Sequence, residues 1–419
     1  MDSRFAPLGF GPADILLPRD CDLNRWCVVA CDQYSSQPEY WQRVAGYVGQ
    51  APSALHLVLP ESRLPAAPEE IDAIHRAMDA ELAAGRFAEL PDSLIYVERT
   101  LSDGKVRRGL IGQVDLECYG YTPGSGALIR ATEGTVLSRI PPRVAVRQGA
   151  SLELPHVLLL LDDPERAVIE PLGAQTGQME PLYDFELMEG GGHIAGWRLN
   201  EAQVAAVARG LAHLADPEVF AQKYDAEGRP VLLFAVGDGN HSLASAKAAY
   251  EAQRGTPAAA LARYALVELG NLHDESLEFE AIHRVCFGVD PEDLLRALLA
   301  AYPGAHLGPG EGQQLRWLHA GGEGIVTVPD APYQLPLATL QAVLDPYLAA
   351  HGGRVDYIHG EDVARRLGAQ PGNLAFLLPA LGKDELFKTV IFDGVLPRKT
   401  FSMGRAQDKR FYLEARRIR

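Results

Sequence analysis

Six apolar residues, 231–236, run straight into Gly237-Asp238-Gly239-Asn240-His241-Ser242 and then into a long alanine-rich segment. An apolar run of that length bounded by glycine reads as a buried strand. Two glycines within three residues permit a tight turn from strand to helix. A strand that is apolar throughout must be covered on both faces, so a chain committed to this unit is an α/β protein.

The rest of the chain alternates in the same way. Strands are expected at 12–17, 26–31, 55–59, 157–161, 194–199, 231–236, 264–269, 278–285, 325–328, 355–359, 373–378 and 390–393. Helices are expected at 68–90, 200–215, 242–258, 291–301, 337–350 and 361–367. Ser102-Asp103-Gly104 separates two strand-like runs, 93–101 and 107–116, as a hairpin turn does. The glycine-rich stretch 304–324 reads as a loop. At 419 residues the chain exceeds the ~250–300 at which one core stops growing. Three lobes are expected: an N-terminal α/β lobe (1–125), a central mixed-sheet core carrying the glycine turn (126–290), and a C-terminal α/β lobe (291–419) completing the site.

Charge narrows the partners. The formal charge is −16, which disfavours non-specific binding to nucleic acid or anionic membrane. The tail from Arg398 onward is nonetheless basic, as befits either a solvated surface or an anion site. No apolar run reaches the ~20 residues of a membrane span, and no signal peptide is visible. Five cysteines at spacings without a zinc pattern fit reduced thiols in a cytoplasmic protein. The oligomeric state leaves no trace in the sequence.

Four constellations could carry chemistry. In the glycine turn, the free N–H groups and positive end of the following helix would face an anion. Asp238 and His241 share that turn and could handle a proton. The bland alternative is that Asn240 or Ser242 simply caps the helix. In the second constellation Glu133 is surrounded in sequence by Arg130, Arg139 and Arg143. The arginines could grip phosphate or carboxylate, or the group could be a structural ion-pair network. In the third, Lys399 and Thr400 lie on a basic loop without Walker glycine spacing. In the fourth, Asn271-Leu272-His273-Asp274-Glu275 offers metal-type side chains, but neighbours on a strand point to opposite faces. His283 there reads as a core histidine. Asp32, His156 and His359 stand at ends of apolar runs, where α/β sites tend to lie.

Taken together, 28–34, 129–143, 152–156, 237–244, 279–285 and 396–404 resemble the domain of unknown function 1015 family of bacterial and archaeal proteins, over nearly the whole chain. Asp238-Gly239-Asn240-His241 also resembles the Asp-Gly-His-x-Arg turn of free serine kinases in the ParB/sulfiredoxin-like superfamily, with Asn240 in place of the first histidine. That resemblance implies a ParB/sulfiredoxin-like strand-turn-helix core and a small-molecule phosphotransferase, such as an amino-acid kinase, using ATP or ADP with Mg²⁺. Nucleotide phosphates would sit on Gly237, Gly239, Asn240 and Ser242, with Lys399 and Thr400 closing over them. Asp238, His241 and Glu133 would be catalytic. Arg130, Arg139, Arg143 and Asp32 would hold the small-molecule substrate. Ser242 stands where the kinase pattern has arginine, and Lys399 or Arg143 would replace that clamp. The alternatives are a nucleotide-binding regulatory protein without turnover and a phosphohydrolase.

Overall fold

The computed structural model describes residues 2–419. They form two compact units, one running to Leu277 and taking back Gly404–Arg419, the other Glu278–Met403. The first unit therefore includes the expected 1–125 stretch, most of 126–290, and the C-terminal segment.

The first unit is built on a ten-stranded mixed sheet. Its strands are β1 (Phe10–Gly11), β2 (Ile95–Thr100), β3 (Val106–Asp115), β4 (Tyr119–Gly120), β5 (Ile129–Ala131), β6 (Leu158–Leu161), β7 (Glu180–Glu186), β8 (His193–Arg198), β9 (Phe234–Asp238) and β10 (Tyr264–Asn271). The spatial order is β7-β8-β2-β3-β10-β6-β9-β5-β4, with β1 on β3. β2 and β3 form the hairpin around Ser102-Asp103-Gly104. β6 runs parallel to β10 and antiparallel to β9, and β9 runs parallel to β5.

Both faces of this sheet are buried, and alternate side chains serve different cores. Tyr96, Leu110, Val114, Val267 and Leu269 face the helix-covered side with Leu243, Ala246 and Tyr250. Ile95, Val97, Ile111 and Leu266 face the other side with Trp26, Val28, Met78 and Tyr412. Leu159 and Leu160 are fully buried. Burying such a side chain contributes ~1.5–3 kcal/mol.

Helix α1 is Ile140–Arg147. Helix α2 (Glu201–Leu214) starts at Asn200, whose side chain accepts from Gln203 N–H while Gln203 answers in a capping box. Helix α3 (Asn240–Ala252) follows β9 and packs against α1.

The C-terminal segment returns as a strap across the first unit. Phe411–Tyr412 pair with Val28–Val29, and Arg416–Arg417 pair with Leu152–Glu153. Buried arginines fix the strap. Arg99 donates to the carbonyls of Gln407 and Lys409, and Arg107 donates to that of Asp408. Arg410 bridges Glu268 and Glu414, 2.5 Å from each.

The second unit carries an antiparallel sheet of β11 (Phe279–Phe287), β12 (His306–Leu307), β13 (Gln313–His319), β14 (Gly322–Val328), β15 (Arg354–His359), β16 (Asn373–Leu377) and β17 (Phe401–Met403). Helices Pro291–Ala301 and Pro336–His351 cover it.

Three sequence expectations are corrected here. The stretch 304–324 is not a loop, because Leu315 buries between exposed neighbours in the strand alternation of β13. Residues 390–393 end a helix, Lys383–Phe392, whose start is fixed by Glu385 accepting from Gly382 N–H. The expected strand at 55–59 is instead a short 3-10 turn, Ala54–His56, capped by Ser53. Among the described residues, no helix is long and apolar enough to cross a membrane.

Candidate functional site

The glycine turn forms where β9 meets α3. Gly239 has φ +80°, and a Cβ there would lie 3.0 Å from Val157 Cγ2 and 3.1 Å from Val157 Cα. Both the left-handed backbone and the close approach to the residue preceding β6 require glycine. Gly239 is itself the N-cap, and no side chain caps α3. The capping expectation for Asn240 or Ser242 is thus corrected. Asn240 Oδ1 instead accepts from Thr132 N–H at 3.2 Å, and its Nδ2 donates to Thr132 Oγ1 at 3.4 Å. Thr132 Oγ1 donates to Val236 O at 2.7 Å, so Asn240 ties the loop after β5 to the turn. The first N–H groups of a helix have no intrahelical acceptor and carry its positive dipole end. Here those groups belong to Asn240, His241 and Ser242. Gly239 N–H donates to Asp238 Oδ1 at 2.9 Å.

Charged groups surround the turn. Asp238 Oδ2 lies 3.1 Å from Lys409 Nζ on the C-terminal strap. His241 Nε2 accepts from Val136 N–H at 3.3 Å, which leaves Nδ1 carrying the proton of a neutral ring. Burial, together with the nearby Arg143 and Arg139 charges, holds the His241 pKa below its ordinary value, while Glu61 and Asp32 pull the other way. Arg143 pairs with Glu61 and donates to Arg139 O at 2.7 Å. Asp32 Oδ1 is buried and has no hydrogen-bond partner among the described residues. An orphaned buried carboxylate oxygen is an acceptor that a ligand donor or a cation can satisfy.

A second set of contacts reaches the same turn from below. Ser242 Oγ is 3.1 Å from His156 Nε2. His156 Nδ1 is 2.8 Å from the Tyr412 hydroxyl, which accepts from Cys31 N–H at 3.0 Å.

The structure thus brings together Asp32, Arg139, Arg143, Asp238, His241 and Ser242. Arg130 does not join them. Its buried guanidinium donates to the carbonyls of Ala127, Pro230 and Val231, so it fastens loops rather than ringing Glu133. Glu133 is half-buried on the loop after β5. Lys399 and Thr400 belong to the second unit, where Lys399 O accepts from the buried Arg284 and Thr400 Oγ1 donates to Pro397 O.

The metal-type cluster after β10 is resolved into structural bonds. His273 Nε2 lies 2.6 Å from Asp162, Asn271 donates to Glu170, and Asp274 accepts from Ser276. Among the described residues no group of three or more His, Cys, Asp or Glu could hold a metal ion. His283 is the core histidine expected, accepting from Leu378 N–H.

Lys409, Glu61 and Tyr412 were missed by sequence reasoning. The basic tail was the one visible hint of Lys409, and nothing in the sequence says that the strap returns to residues 28 and 238.

Fold and turn together define an α/β protein with a strand-to-helix turn ringed by paired charges. The chain belongs to the family described as protein of unknown function (DUF1015), whose pattern matches residues 16–347. No curated protein matches it. Among solved structures, a free serine kinase mutant in complex with ADP is 11% identical at a TM-score of 0.40, covering 74% of this chain and 92% of that one. A free serine kinase in complex with AMP is 11% identical at a TM-score of 0.39, covering 72% and 90%. A conserved hypothetical protein from Pyrococcus furiosus is 11% identical at a TM-score of 0.36, covering 73% and 93%. Likenesses this distant establish no activity.

Proposed function

We propose that the protein is a small-molecule phosphotransferase that holds the phosphates of a nucleotide on the N-terminal turn of α3. The observation that carries this reading is a convergence at one helix start. The free N–H groups of 240–242, a neutral His241 with a donor Nδ1–H, Arg139, Arg143 and Lys409 all belong to the first unit and surround one turn. Preorganised donors and cations suit a transferring phosphoryl group, which needs charge stabilisation more than covalent help. The resemblance of the Asp238-Gly239 turn to that of free serine kinases supports the same assignment, with Asn240 standing where that turn has histidine.

Asp238 anchors Lys409 and the Gly239 amide, so its role is to order the phosphate cradle. Glu133 is proposed as acceptor for the substrate hydroxyl proton. Asp32 Oδ1 is proposed to meet the acceptor molecule or Mg²⁺, a cation that needs only one or two protein carboxylates when phosphates supply the rest. Mg²⁺ there would neutralise phosphate charge.

Thermal denaturation with ATP, ADP, pyrophosphate and AMP, each with Mg²⁺, tests the reading. A ligand at ~100 times its Kd should stabilise by about 2.7 kcal/mol. The shift should disappear in His241→Ala. Phosphorus NMR with a panel of amino acids and polyols then looks for a phosphorylated product. A shift unchanged in His241→Ala would place the phosphates elsewhere, and nucleotide binding with no turnover on any acceptor would favour a regulatory binding protein.

A further inference from the structure

The contacts beneath α3 form a relay that phosphate binding alone does not require. Ser242 sits half-exposed on the first turn of α3, at the positive end of the helix dipole. It does not back-bond to its own helix in the manner of Ser245, whose hydroxyl donates to His241 O at 2.7 Å. Its partner is instead His156, which is buried with both ring nitrogens engaged. Behind His156 stands the buried Tyr412, its ring edge-on at a centroid distance of 5.7 Å and its oxygen fixed by Cys31 N–H. The backbone locks both ends. His156 directly precedes Val157, which packs on Gly239, and Tyr412 lies in the strap strand paired to Val28. A hydroxyl touching an imidazole, itself oriented by a third buried group, is the arrangement of an activated nucleophile.

We propose that Ser242 is a nucleophile, with His156 as its general base and Tyr412 as the positioning residue behind it, acting on phosphoryl compounds. In the first step Ser242 Oγ forms a bond to the terminal phosphorus of the nucleotide. The bond from that phosphorus to the bridging oxygen breaks, the nucleoside diphosphate leaves with the electron pair, and the serine proton passes to His156 Nε2, in the tautomer whose Nδ1–H donates to the Tyr412 oxygen. In the second step the acceptor hydroxyl oxygen attacks the phosphoserine phosphorus. The bond to Oγ breaks, Oγ recovers the proton from His156, and the acceptor's proton passes to Glu133 and from there to solvent. The transfer through phosphoserine rests on the phosphotransferase reading. The nucleophile itself does not.

An alkyl fluorophosphonate tests it on the intact protein, because phosphorus bonds to the nucleophilic oxygen, fluoride leaves, and no nucleotide is involved. Peptide mass mapping should find the label on Ser242. The labelling rate should rise with pH along a single ionisation, which a purely structural histidine would not produce. His156→Gln should label at least ~100-fold more slowly, the usual worth of a positioned base. Tyr412→Phe should lower the rate and move the pH midpoint, and it serves as the second variant if His156→Gln does not fold. An unlabelled Ser242, or a rate that ignores both pH and these substitutions, overturns the proposal. A nucleotide-induced thermal shift without labelling would leave the phosphotransferase reading standing and remove this one, whereas labelling without any nucleotide effect would do the reverse.

Discussion

Lys409 Nζ lies 3.1 Å from Asp238 Oδ2, so the end of the chain closes onto the glycine turn. Both side chains are mostly covered, at 18% and 24% exposure, and the contact is therefore less screened than a surface pair. Lys409→Met would remove a cation from the proposed phosphate cradle and leave the Asp238 carboxylate uncompensated beside it. Calorimetric titration should show ADP affinity reduced about tenfold, or ~1.4 kcal/mol, with a weaker salt dependence than the unsubstituted protein. Equal affinity and equal salt dependence would show that Lys409 only pins the strap.

His241 gives a pH signature. Burial and the Arg143 and Arg139 charges lower its folded pKa below the unfolded value. The unfolded chain then binds more protons than the folded one, so this group destabilises the fold as pH falls through the unfolded pKa and ceases to matter above it. Arg143→Gln removes a cation and releases Glu61, and both changes raise the His241 pKa. An NMR titration of the imidazole resonances should show the His241 midpoint moving upward in this variant. A midpoint that stays put would mean that burial and Arg139 set it without Arg143.

How much of this was legible follows from the range of the interactions. The β2–β3 hairpin and α2 are set by local patterns and appeared where the sequence said, while the strand entering Gly239 runs over Phe234–Asp238 rather than 231–236. The expected strand at 390–393 failed because a short apolar run serves a helix end as well as a strand, and Glu385 capping Gly382 decides the matter. Within the site, Asp238, His241, Ser242 and Arg143 were visible as a turn and a basic run. The partners that define their chemistry were not. His156 stood out only as the end of an apolar run, while Lys409 and Tyr412 arrive on a strap held by buried Arg99, Arg107 and Arg410. Arg130 was misjudged for the same reason, since its carbonyl partners at 230 and 231 lie far off in sequence.

Gly239 and Gly46 are opposite controls for backbone freedom. Gly239→Ala places a Cβ at φ +80° against Val157 backbone and side chain, and should cost about 1–3 kcal/mol and displace the start of α3. Gly46 lies exposed inside the helix Pro38–Val48, and a methyl added there would meet nothing within 4 Å, so Gly46→Ala should stabilise by about 0.5–1 kcal/mol. Urea denaturation of the two variants measures both signs. A neutral Gly239→Ala would mean that the turn relaxes without consequence, and the anion cradle would lose its structural basis.

Arg410 holds the strap in place, and its removal separates structural from chemical effects. Its guanidinium lies 2.5 Å from both Glu268 and Glu414, and its Nε donates to Pro155 O, next to His156. Burial pushes the Glu268 carboxyl up, but Arg107 and Arg410 outweigh it and hold the pKa below the ordinary value. Glu268 therefore contributes stability above its unfolded pKa and loses it as pH falls through the folded one. Arg410→Met leaves two buried carboxylates short of a cation and should cost ~3–5 kcal/mol at neutral pH. The deficit should shrink toward pH 4, because a protonated Glu268 no longer needs the partner. Glu414→Gln in the Arg410→Met background should recover part of the loss. Urea melts at pH 7 and pH 4 decide this: a deficit independent of pH would make lost packing, rather than the stranded charge, the cause.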